Sequence, residues 1–440
     1  MQSRLERRCI GLDVHRDFAQ VAMWQGGVVT QAGRFATTPE GVRAFAQGLG
    51  PADEVALEVT GNTWAIATVL ASRASRVVVS NPAKTRAIAE AKVKTDKVDA
   101  EILAQLLAAD YLPSVWLPDA ETSALRRQLL RRAQLVRQRT RLKNQVLAIL
   151  HRNLIPRCPA TDLFGHKGRA WLAEQDLPPD EQAAAIALLR QLDFHAQELQ
   201  LIDTDLGQAG LGRPEVLRLM TVPGIDATVA LSIVATVGDF TRFRTPEKLV
   251  AYLGLNPKVR QSGGQPAKHG RITKTGAAHT RGMLVEAAWS ASKAPGPLRA
   301  FYQRVQARRG MQIAAVATAR KLAVLCWHLI IKGQDYAFAQ PSLVAHKRRK
   351  LELRAGRASA RGCKGTASGY SLRTVRAAER ELAAQAETAY RTMVAAWQPR
   401  KPTTPTRAPR ARAAESAVGV AATNGARQFS PSPGNAARQG

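Results

Sequence analysis

The first quarter of the chain alternates short apolar runs with amphipathic stretches. The runs CIGLDV, AQVAMW, VALEVT and RVVVSNP are rich in β-branched residues and are bounded by Gly, Asn, Asp or Pro, which is typical of strands. Between them, residues 38–49 and 63–73 have helical patterns, and Thr37 or Thr38 with Glu40 is a helix-capping signal. We predict an α/β domain over residues 1–118.

Residues 119–212 predict two long amphipathic helices joined by a proline-containing connection. The heptad positions are Leu129, Val136 and Leu150, accompanied by Ala133, Thr140 and Leu147, and then Leu192, Leu199 and Leu206. This pattern predicts a coiled-coil hairpin, which pairs either within the chain or between two chains. We interpret His195 in the second seam as a packed core histidine rather than a ligand.

The rest of the chain predicts a mainly α domain over residues 213–335, with a helix at 298–332. Pro223 and Gly224 form a turn between two helical stretches, which resembles a helix-hairpin-helix whose Gly224 turn contacts a phosphate, although any Gly-containing turn between helices looks similar. A basic extension follows at residues 336–398, with a helix at 371–397. Residues 399–440 are rich in Pro and Arg, which predicts a disordered basic tail.

The chain has 64 Lys and Arg against 34 Asp and Glu, a formal net charge of +30. The basic residues are spread along the sequence, which indicates an extended surface for a polyanion such as nucleic acid. We expect no membrane span, because the most apolar run, residues 313–331, contains Arg320 and Lys321. The four widely spaced cysteines predict neither a zinc site nor disulfides, so we expect a cytoplasmic, nucleoid-associated protein.

Four acids occupy positions that suit a metal centre. Asp13 ends the first predicted strand, Glu58 lies near the end of a later one, and Asp96 and Asp99 share one face where a helix begins. Such carboxylates could hold a pair of Mg²⁺ or Mn²⁺ ions on either side of a phosphate. Each acid alone could instead be a cap or a solvated charge; Asp96, for example, could cap its own helix.

Ser262 lies in a run that looks suited to bringing a serine to a phosphate. The run has no acid between residues 251 and 285, and Gly263 and Gly264 follow the serine. Its candidate phosphate-binding cations are Lys268, Arg271, Lys274 and Arg281. The serine could attack a phosphodiester, or the loop could only hold a nucleic-acid backbone. His269 and His279 are the nearest possible bases, and we assign neither.

The motifs GLDVHRDF, ALEVTGNTW, SNPAKTRAIAEA and KTDKVDAEILAQLL, in this order, resemble the RuvC-like DEDD domain of the IS110 insertion-sequence transposases, relatives of the Piv-type DNA invertases. The resemblance implies an RNase H-like sheet and maps the four acids onto Asp13, Glu58, Asp96 and Asp99. Asp17 competes for the first position, and we prefer Asp13 because a strand delivers it to the sheet edge.

The resemblance continues through the turn at Gly224 and the serine loop, and it covers roughly residues 8–335. In this family the loop supplies a serine nucleophile. Members often have two adjacent serines, whereas Gln261 replaces the first here and leaves Ser262. The resemblance also implies a homo-oligomer that works with a structured bridge RNA encoded by the element, which selects target and donor DNA.

We therefore predict a DNA transposase or recombinase that forms a transient phosphoserine link through Ser262, with Mg²⁺ on the four acids. A metal-dependent RuvC-like nuclease or junction resolvase, with water as the nucleophile, is the first alternative. A DNA-binding protein without catalytic activity is the second.

Overall fold

A five-stranded sheet occupies the N-terminal part of this computed structural model, which describes residues 7–89, 95–263, 265–357 and 373–397. The strands are β1 (Arg8–Val14), β2 (Phe18–Gln25), β3 (Val28–Ala36), β4 (Asp53–Glu58) and β5 (Arg76–Ser80). All four strands predicted from apolar runs are present. The sequence did not reveal β3, because it is an edge strand with mostly exposed side chains and no apolar run.

The strand order is β3-β2-β1-β4-β5. Strand β1 is antiparallel to β2 and parallel to β4, and β4 is parallel to β5. This mixed α/β arrangement agrees with the expected RuvC-like, RNase H-like domain. The helices of this part are α1 (Pro39–Gln47), α2 (Thr63–Leu70), α3 (Pro82–Ile88) and α4 (Asp96–Ala108). The Thr38 hydroxyl caps α1 by accepting a hydrogen bond from the Gly41 amide, as the sequence predicted.

The two faces of the sheet bury different sets of side chains. Ile10, Leu12 and Val14 of β1 pack in one core with residues of α1 and α2. Cys9 belongs to a separate core with Leu103 and Leu107 of α4. Because side chains alternate along a strand, Cys9, Gly11 and Asp13 all lie on the α4 face.

Helix α4 packs directly on the backbone of β1 at Gly11. A Cβ atom at Gly11 would lie 2.0 Å from the Ala100 carbonyl oxygen and 2.6 Å from the Ala104 amide nitrogen. Only glycine permits this approach. The first turn of α4 is thereby held over the end of β1 that carries Asp13.

The middle of the chain forms an antiparallel helix pair, α5 (Ala120–Arg152) and α7 (Pro179–Leu211), with α6 (His166–Ala173) in the connection. Arg132 pairs with Asp203 at 2.6 Å and Arg131 with Glu198 at 2.7 Å across the two helices. His195 Nε2 lies 3.2 Å from Gln138 Oε1 on α5, so His195 contacts the other helix of the pair. The side chain is half-buried, whereas we expected a core histidine. The predicted hairpin therefore forms within one chain.

The predicted seam of α5 was right at Leu129 and Leu150, which are buried, and wrong at Val136 and Leu147, which are 40% and 48% exposed. Leu135, Leu142 and Ile149 form a second buried heptad row that the sequence analysis missed. Several apolar side chains of α5 are exposed outside the seam. The sequence therefore contains two overlapping heptad repeats of apolar residues, and periodicity alone does not tell which of them is buried. The α7 seam was predicted correctly, because Leu192, Leu199 and Leu206 are all buried.

The remaining elements are mostly helices packed around one large core. They are α8 (Pro214–Leu219), α9 (Ala227–Val237), α10 (Pro246–Tyr252), β6 (Pro257–Arg260), β7 (Lys268–Ile272), α11 (Ala278–Ala291), α12 (Pro297–Arg309), α13 (Met311–Lys332), α14 (Pro341–Arg354) and α15 (Arg373–Ala396). The helix predicted at 298–332 is divided into α12 and α13 at Gly310, whose φ is +80°. The tail at 399–440 lies outside the described residues, and the five domain bounds stay predictions.

By length and composition alone, α13 could cross a membrane. Its apolar side chains have another explanation, because Ala319, Leu322 and Cys326 are buried in the large core. The apolar composition of α13 is therefore explained by its packing in the core of this fold.

We predict that Gly11→Ala lowers the free energy of unfolding by about 1–3 kcal/mol, because the new Cβ forces α4 away from β1. Gly61→Ala is the matched control, since a Cβ there meets no atom within 4 Å. Urea denaturation of both variants measures the difference. Equal stability of the two variants would contradict the packing described for α4.

Candidate functional site

Two of the predicted acids lie side by side at the edge of the sheet. The parallel register of β1 and β4 aligns Leu12 with Leu57, which makes Asp13 and Glu58 the next pair. Both side chains are partly buried, and both lie on the face covered by α4. The strand ends thus deliver two carboxylates to one place, as the sequence predicted.

Helix α4 contributes the other two acids from its first turn. The Thr95 hydroxyl caps this helix by accepting from the Val98 amide at 3.3 Å. The alternative that Asp96 acts as the cap is therefore wrong. The pKa of Asp13 is raised, first by burial and then by repulsion from Asp99 and Asp96. Three of the four carboxylates therefore share one electrostatic environment.

His15 joins this cluster, and the sequence did not predict it. Its Nε2 lies 3.1 Å from Asp13 Oδ2 and 3.3 Å from Asp96 Oδ1. The ring packs on Phe18, and the backbone carbonyl accepts from Asn62 Nδ2 at 3.3 Å. The only sequence signal was its spacing, two residues after Asp13 at the end of a strand.

The donor set of the cluster suits a divalent cation. Ligand atoms of Asp13, His15 and Asp96 lie within 4.8 Å of one another. Carboxylate oxygens are hard ligands, and a cation between them would offset the repulsion that raises the Asp13 pKa. Asp13, Glu58, Asp96 and Asp99 could hold it, with His15 as a neighbour or an additional ligand.

A chain of amide side chains links the sheet to α4. Gln20, paired with Asp13 across β1 and β2, is buried and donates to Gln31 Oε1 at 2.8 Å. Gln31 in turn donates to Glu101 Oε1 at 2.6 Å and to the Lys97 carbonyl at 3.2 Å. These bonds fix the N-terminal half of α4 over β2 and β3, next to the acids.

Ser262 lies on the exposed connection between β6 and β7. Gly263 beside it has φ +55°, a conformation that favours glycine, and Gly264 lies outside the described residues. Arg260 pairs directly with Lys268 across the two strands that flank this connection. Like charges opposite each other destabilise a hairpin, so this arrangement favours an anionic ligand.

The predicted cations Lys268, Arg271 and Lys274 line one concavity of about 480 Å³ together with Lys258 and Arg260. Lys274 has φ +57°, and its amide donates to the Gly254 carbonyl at 3.1 Å. The structure thus gathers five cations on one side of the hairpin. Such a concavity suits the backbone of a nucleic acid.

Arg281 and Gly224 have internal contacts. Arg281 Nη1 donates to the Leu253 and Thr275 carbonyls at 3.1 and 3.2 Å, which holds the segment after β7. Gly224 has φ +86°, and a Cβ there would lie 2.3 Å from the Ala287 carbonyl oxygen of α11. Asp226 caps the following helix α9. Phosphate binding by either residue stays a prediction.

The two candidate bases have different surroundings. His269 is exposed on β7 and pairs with Val259. His279 lies in the first turn of α11, with Nε2 3.5 Å from Ser232 Oγ. Burial lowers the pKa of His279, and the charges of Arg137 and Arg132 lower it further, so its imidazole is neutral at pH 7.

The exposed face of α5 forms a third cationic feature. Arg127, Arg131, Arg137 and Arg141 line a groove of about 670 Å³ along this helix. Leu130 lines this groove and also a neighbouring cavity.

Two protein-family models match the chain. A transposase model of the IS110 DEDD type matches residues 10–154, which include all four acids. A model described as the transposase IS116/IS110/IS902 family matches residues 216–303, which include the serine hairpin. The DEDD type implies dependence on a divalent metal.

Curated relatives give the same result. The Sinorhizobium fredii protein y4qE, named as a transposase, is 30% identical over 54% of this chain, and the match spans 64% of its own length, just under two thirds. A Pseudomonas aeruginosa protein named as a family 20 transposase is 30% identical over 55% of this chain and 74% of its own. The pilin gene-inverting protein of Moraxella bovis is 25% identical over 64% of this chain and 80% of its own.

The segments matched by the two family models thus contain both the acidic cluster and the serine hairpin. The chain belongs to the IS116/IS110/IS902 family of transposases.

Proposed function

We propose that this protein cuts and rejoins DNA strands of a mobile element through a covalent intermediate on Ser262. The observation that supports this proposal is the serine hairpin, where the exposed Ser262 lies on the connection between the opposed residues Arg260 and Lys268. The names of the relatives, which include transposases and a gene-inverting protein, support DNA as the substrate.

The proposed step balances as a phosphoryl transfer. A bond forms between Ser262 Oγ and phosphorus, a bond from phosphorus to a deoxyribose oxygen breaks, and the serine proton leaves to solvent or a nearby base. The released hydroxyl of another strand later attacks the phosphoserine and restores the serine. No bond energy is lost to water, so the rejoining needs no nucleotide triphosphate.

Lys268, Arg271 and Lys274 would hold the phosphate in this step, because they line one concavity beside the serine. Asp13, Glu58, Asp96 and Asp99 would hold Mg²⁺ or Mn²⁺, which when bound supplies charge stabilisation for the phosphorus oxygens. The Gly11 contact and the Gln20–Gln31 chain keep Asp96 and Asp99 over the sheet edge.

A guide RNA is part of the proposal. Support comes from the net charge of +30, whose basic residues are spread along the sequence and suit a second polyanion besides the DNA. The protein would then act in the cytoplasm, on DNA selected by an element-encoded bridge RNA.

A nuclease that uses water is the second candidate. One observation favours it: the acidic cluster gathers its carboxylates and His15 without any group from the serine hairpin. If the protein is such a nuclease, it should cut DNA in a metal-dependent reaction that does not require Ser262.

We also propose a homo-oligomer built through the helix pair. Phe194 and Leu201 of α7 are 59% and 63% exposed, and Val136 and Leu147 add exposed apolar surface on α5. Apolar side chains on the outer faces of a helix pair favour burial against a second copy.

The first prediction concerns the nucleophile. Ser262→Ala should lower the yield of DNA covalently attached to protein by roughly 10³-fold or more, because the attacking oxygen is removed. Ser290→Ala, an exposed serine on α11, is the matched control and should leave the yield unchanged. A denaturing gel of protein incubated with element-end DNA, Mg²⁺ and flanking element RNA measures the adduct. Adduct from Ser262→Ala at the wild-type yield would overturn the assignment.

The second prediction concerns the metal ligands. Mn²⁺ should raise the melting temperature of the wild-type protein, and Asp13→Asn should abolish this shift, because a ligand with a negative charge is lost. Asp17→Asn is the control, since this side chain is 88% exposed and competes for the same role in sequence. Differential scanning fluorimetry in EDTA and in Mn²⁺ measures both. The metal site is wrong if Asp13→Asn keeps the full shift.

The third prediction concerns assembly. Phe194→Glu with Leu201→Glu should weaken self-association by about 2–4 kcal/mol, since two exposed apolar side chains would become charged. Gln197→Glu, an exposed α7 position between them, controls for the added negative charge. Sedimentation equilibrium compares the variants. An unchanged association constant for the double variant would exclude this surface from the interface.

A further inference from the structure

A cavity of about 660 Å³ lies between the acid-bearing edge of the sheet and the segment that follows the serine hairpin. Asn81 and Lys84 line one side, directly after Ser80, which pairs with Glu58 in the register of β4 and β5. Thr275 and Ala278 line the other side, shortly after β7. The cavity is therefore adjacent to both parts of the candidate site and belongs to neither.

The charge of the cavity is positive. Arg126, Arg242 and Lys84 line it, and among the described lining residues none is Asp or Glu. Arg126 Nε and Nη2 donate to the Ala235 and Thr236 carbonyls at 2.7 and 2.6 Å. Arg242 Nε donates to the Val237 carbonyl at 3.0 Å. These bonds to backbone carbonyls hold both guanidinium groups in place. Among the described lining residues, no carboxylate neutralises their positive charge.

One donor in the wall has no partner within the described part of the chain. Arg242 Nη2 is buried, and no hydrogen-bond acceptor reaches it there. The rings of Trp116, Phe243 and Tyr252 surround this guanidinium, whose carbon lies 4.5, 4.2 and 4.5 Å from their centroids. Its positive charge is therefore met by ring faces rather than by an acid.

The walls also offer flat and apolar surfaces. Trp116 and Tyr252 line the cavity, and the Arg242 guanidinium carbon lies 4.5 Å from the ring centroid of each. Leu129 and Leu130 add aliphatic surface. Aromatic rings and guanidinium planes are the groups on which proteins stack unpaired bases. Positive charge without acids, combined with stacking surfaces, fits a nucleotide better than an apolar small molecule.

The arginine groove of α5 adjoins this cavity, because Leu130 lines both. A backbone that follows Arg127 and Arg131 along the groove would pass next to the cavity at Leu130. A single nucleotide could turn out of the strand at this point.

We propose that the cavity holds one unpaired nucleotide of the DNA strand, with its base against Trp116, Tyr252 and Leu130. Its phosphate lies toward Lys84 and Arg242. The proposal rests on the proposed function only in taking DNA as the ligand. Extrusion of one nucleotide here would fix the strand in register between the acidic cluster and the serine hairpin.

Photochemical cross-linking tests this directly. The full chain carrying Ser262→Ala is mixed with single-stranded DNA that contains 5-iododeoxyuridine, irradiated, digested and mapped by mass spectrometry. Cross-links are expected at Trp116, Tyr252 or His279, the aromatic side chains of the wall. Because Ser262 is replaced by alanine, the cross-links do not depend on the proposed serine intermediate.

Ala278→Glu is the variant that closes the site. Ala278 is exposed and is the first residue of α11, where an acid is compatible with the helix dipole, so the fold is retained. The new carboxylate adds an acid to a wall whose described residues include none, so it should repel an anionic nucleotide and lower cross-linking at the wall about tenfold or more. Ala183→Glu makes the same charge change at an exposed position of α7 and should leave the yield unchanged.

A second pair of variants tests the charge. Lys84→Gln should reduce the salt dependence of DNA binding by about one counterion, because Lys84 is assigned to the phosphate. Lys167→Gln removes the same charge from an exposed lysine in the first turn of α6. It is the reference and should keep the wild-type salt dependence.

The proposal is overturned if cross-links map only outside the cavity, if Ala278→Glu and Ala183→Glu give equal yields, or if only an RNA strand of the same sequence cross-links there. Wall cross-links that persist while the adduct assay shows no role for Ser262 would support the cavity and reject the serine mechanism. The two proposals therefore fail separately.

Discussion

Helix α4 meets β1 backbone against backbone at Gly11, and the position of two candidate metal ligands depends on that contact. A side chain there would lift the first turn of α4, which carries Asp96 and Asp99, away from Asp13 and Glu58. The amide chain from Gln20 through Gln31 to Glu101 reinforces the same placement from the neighbouring strands. The acidic cluster is thus a product of helix packing as much as of the four acids themselves.

The two parts of the candidate site carry opposite charge. Carboxylates meet at the sheet edge, where burial first and then their repulsion raise the pKa of Asp13, while five cations share one concavity at the hairpin. Each arrangement costs folding free energy by itself, because like charges repel at close range. A cation bound at the acids and a phosphate bound at the hairpin would remove the repulsion in both parts. This is the electrostatic reason for our proposal that the two parts act together in phosphoryl transfer.

The strands and the positions of the acids could be predicted from the sequence. Other parts of the fold and site could not, for physical reasons. Asp13 and Glu58 could be placed because apolar runs identify buried strands, and strand ends fix where the next residues lie. His15 and Gln31 could not, since a polar residue in a turn or on an edge strand looks like any solvated side chain.

The α5 seam was partly misread because Val136 and Leu147 complete a second apolar repeat on the outer face of the helix. The cavity beside Trp116 depends on contacts between segments more than a hundred residues apart, such as Trp116 against Gly238, and periodicity carries no information about these.

The most direct measurement is the chemical identity of the residue that carries DNA during strand transfer. Trypsin cleaves after Arg260 and Lys268, which isolates residues 261–268 as a peptide whose only hydroxyl side chain is that of Ser262. We expect protein trapped with element-end DNA and treated with nuclease to yield this peptide bearing a nucleotide remnant linked through phosphate. Cut DNA accompanied by only unmodified peptide would contradict a serine intermediate and leave the acidic cluster as a hydrolytic centre.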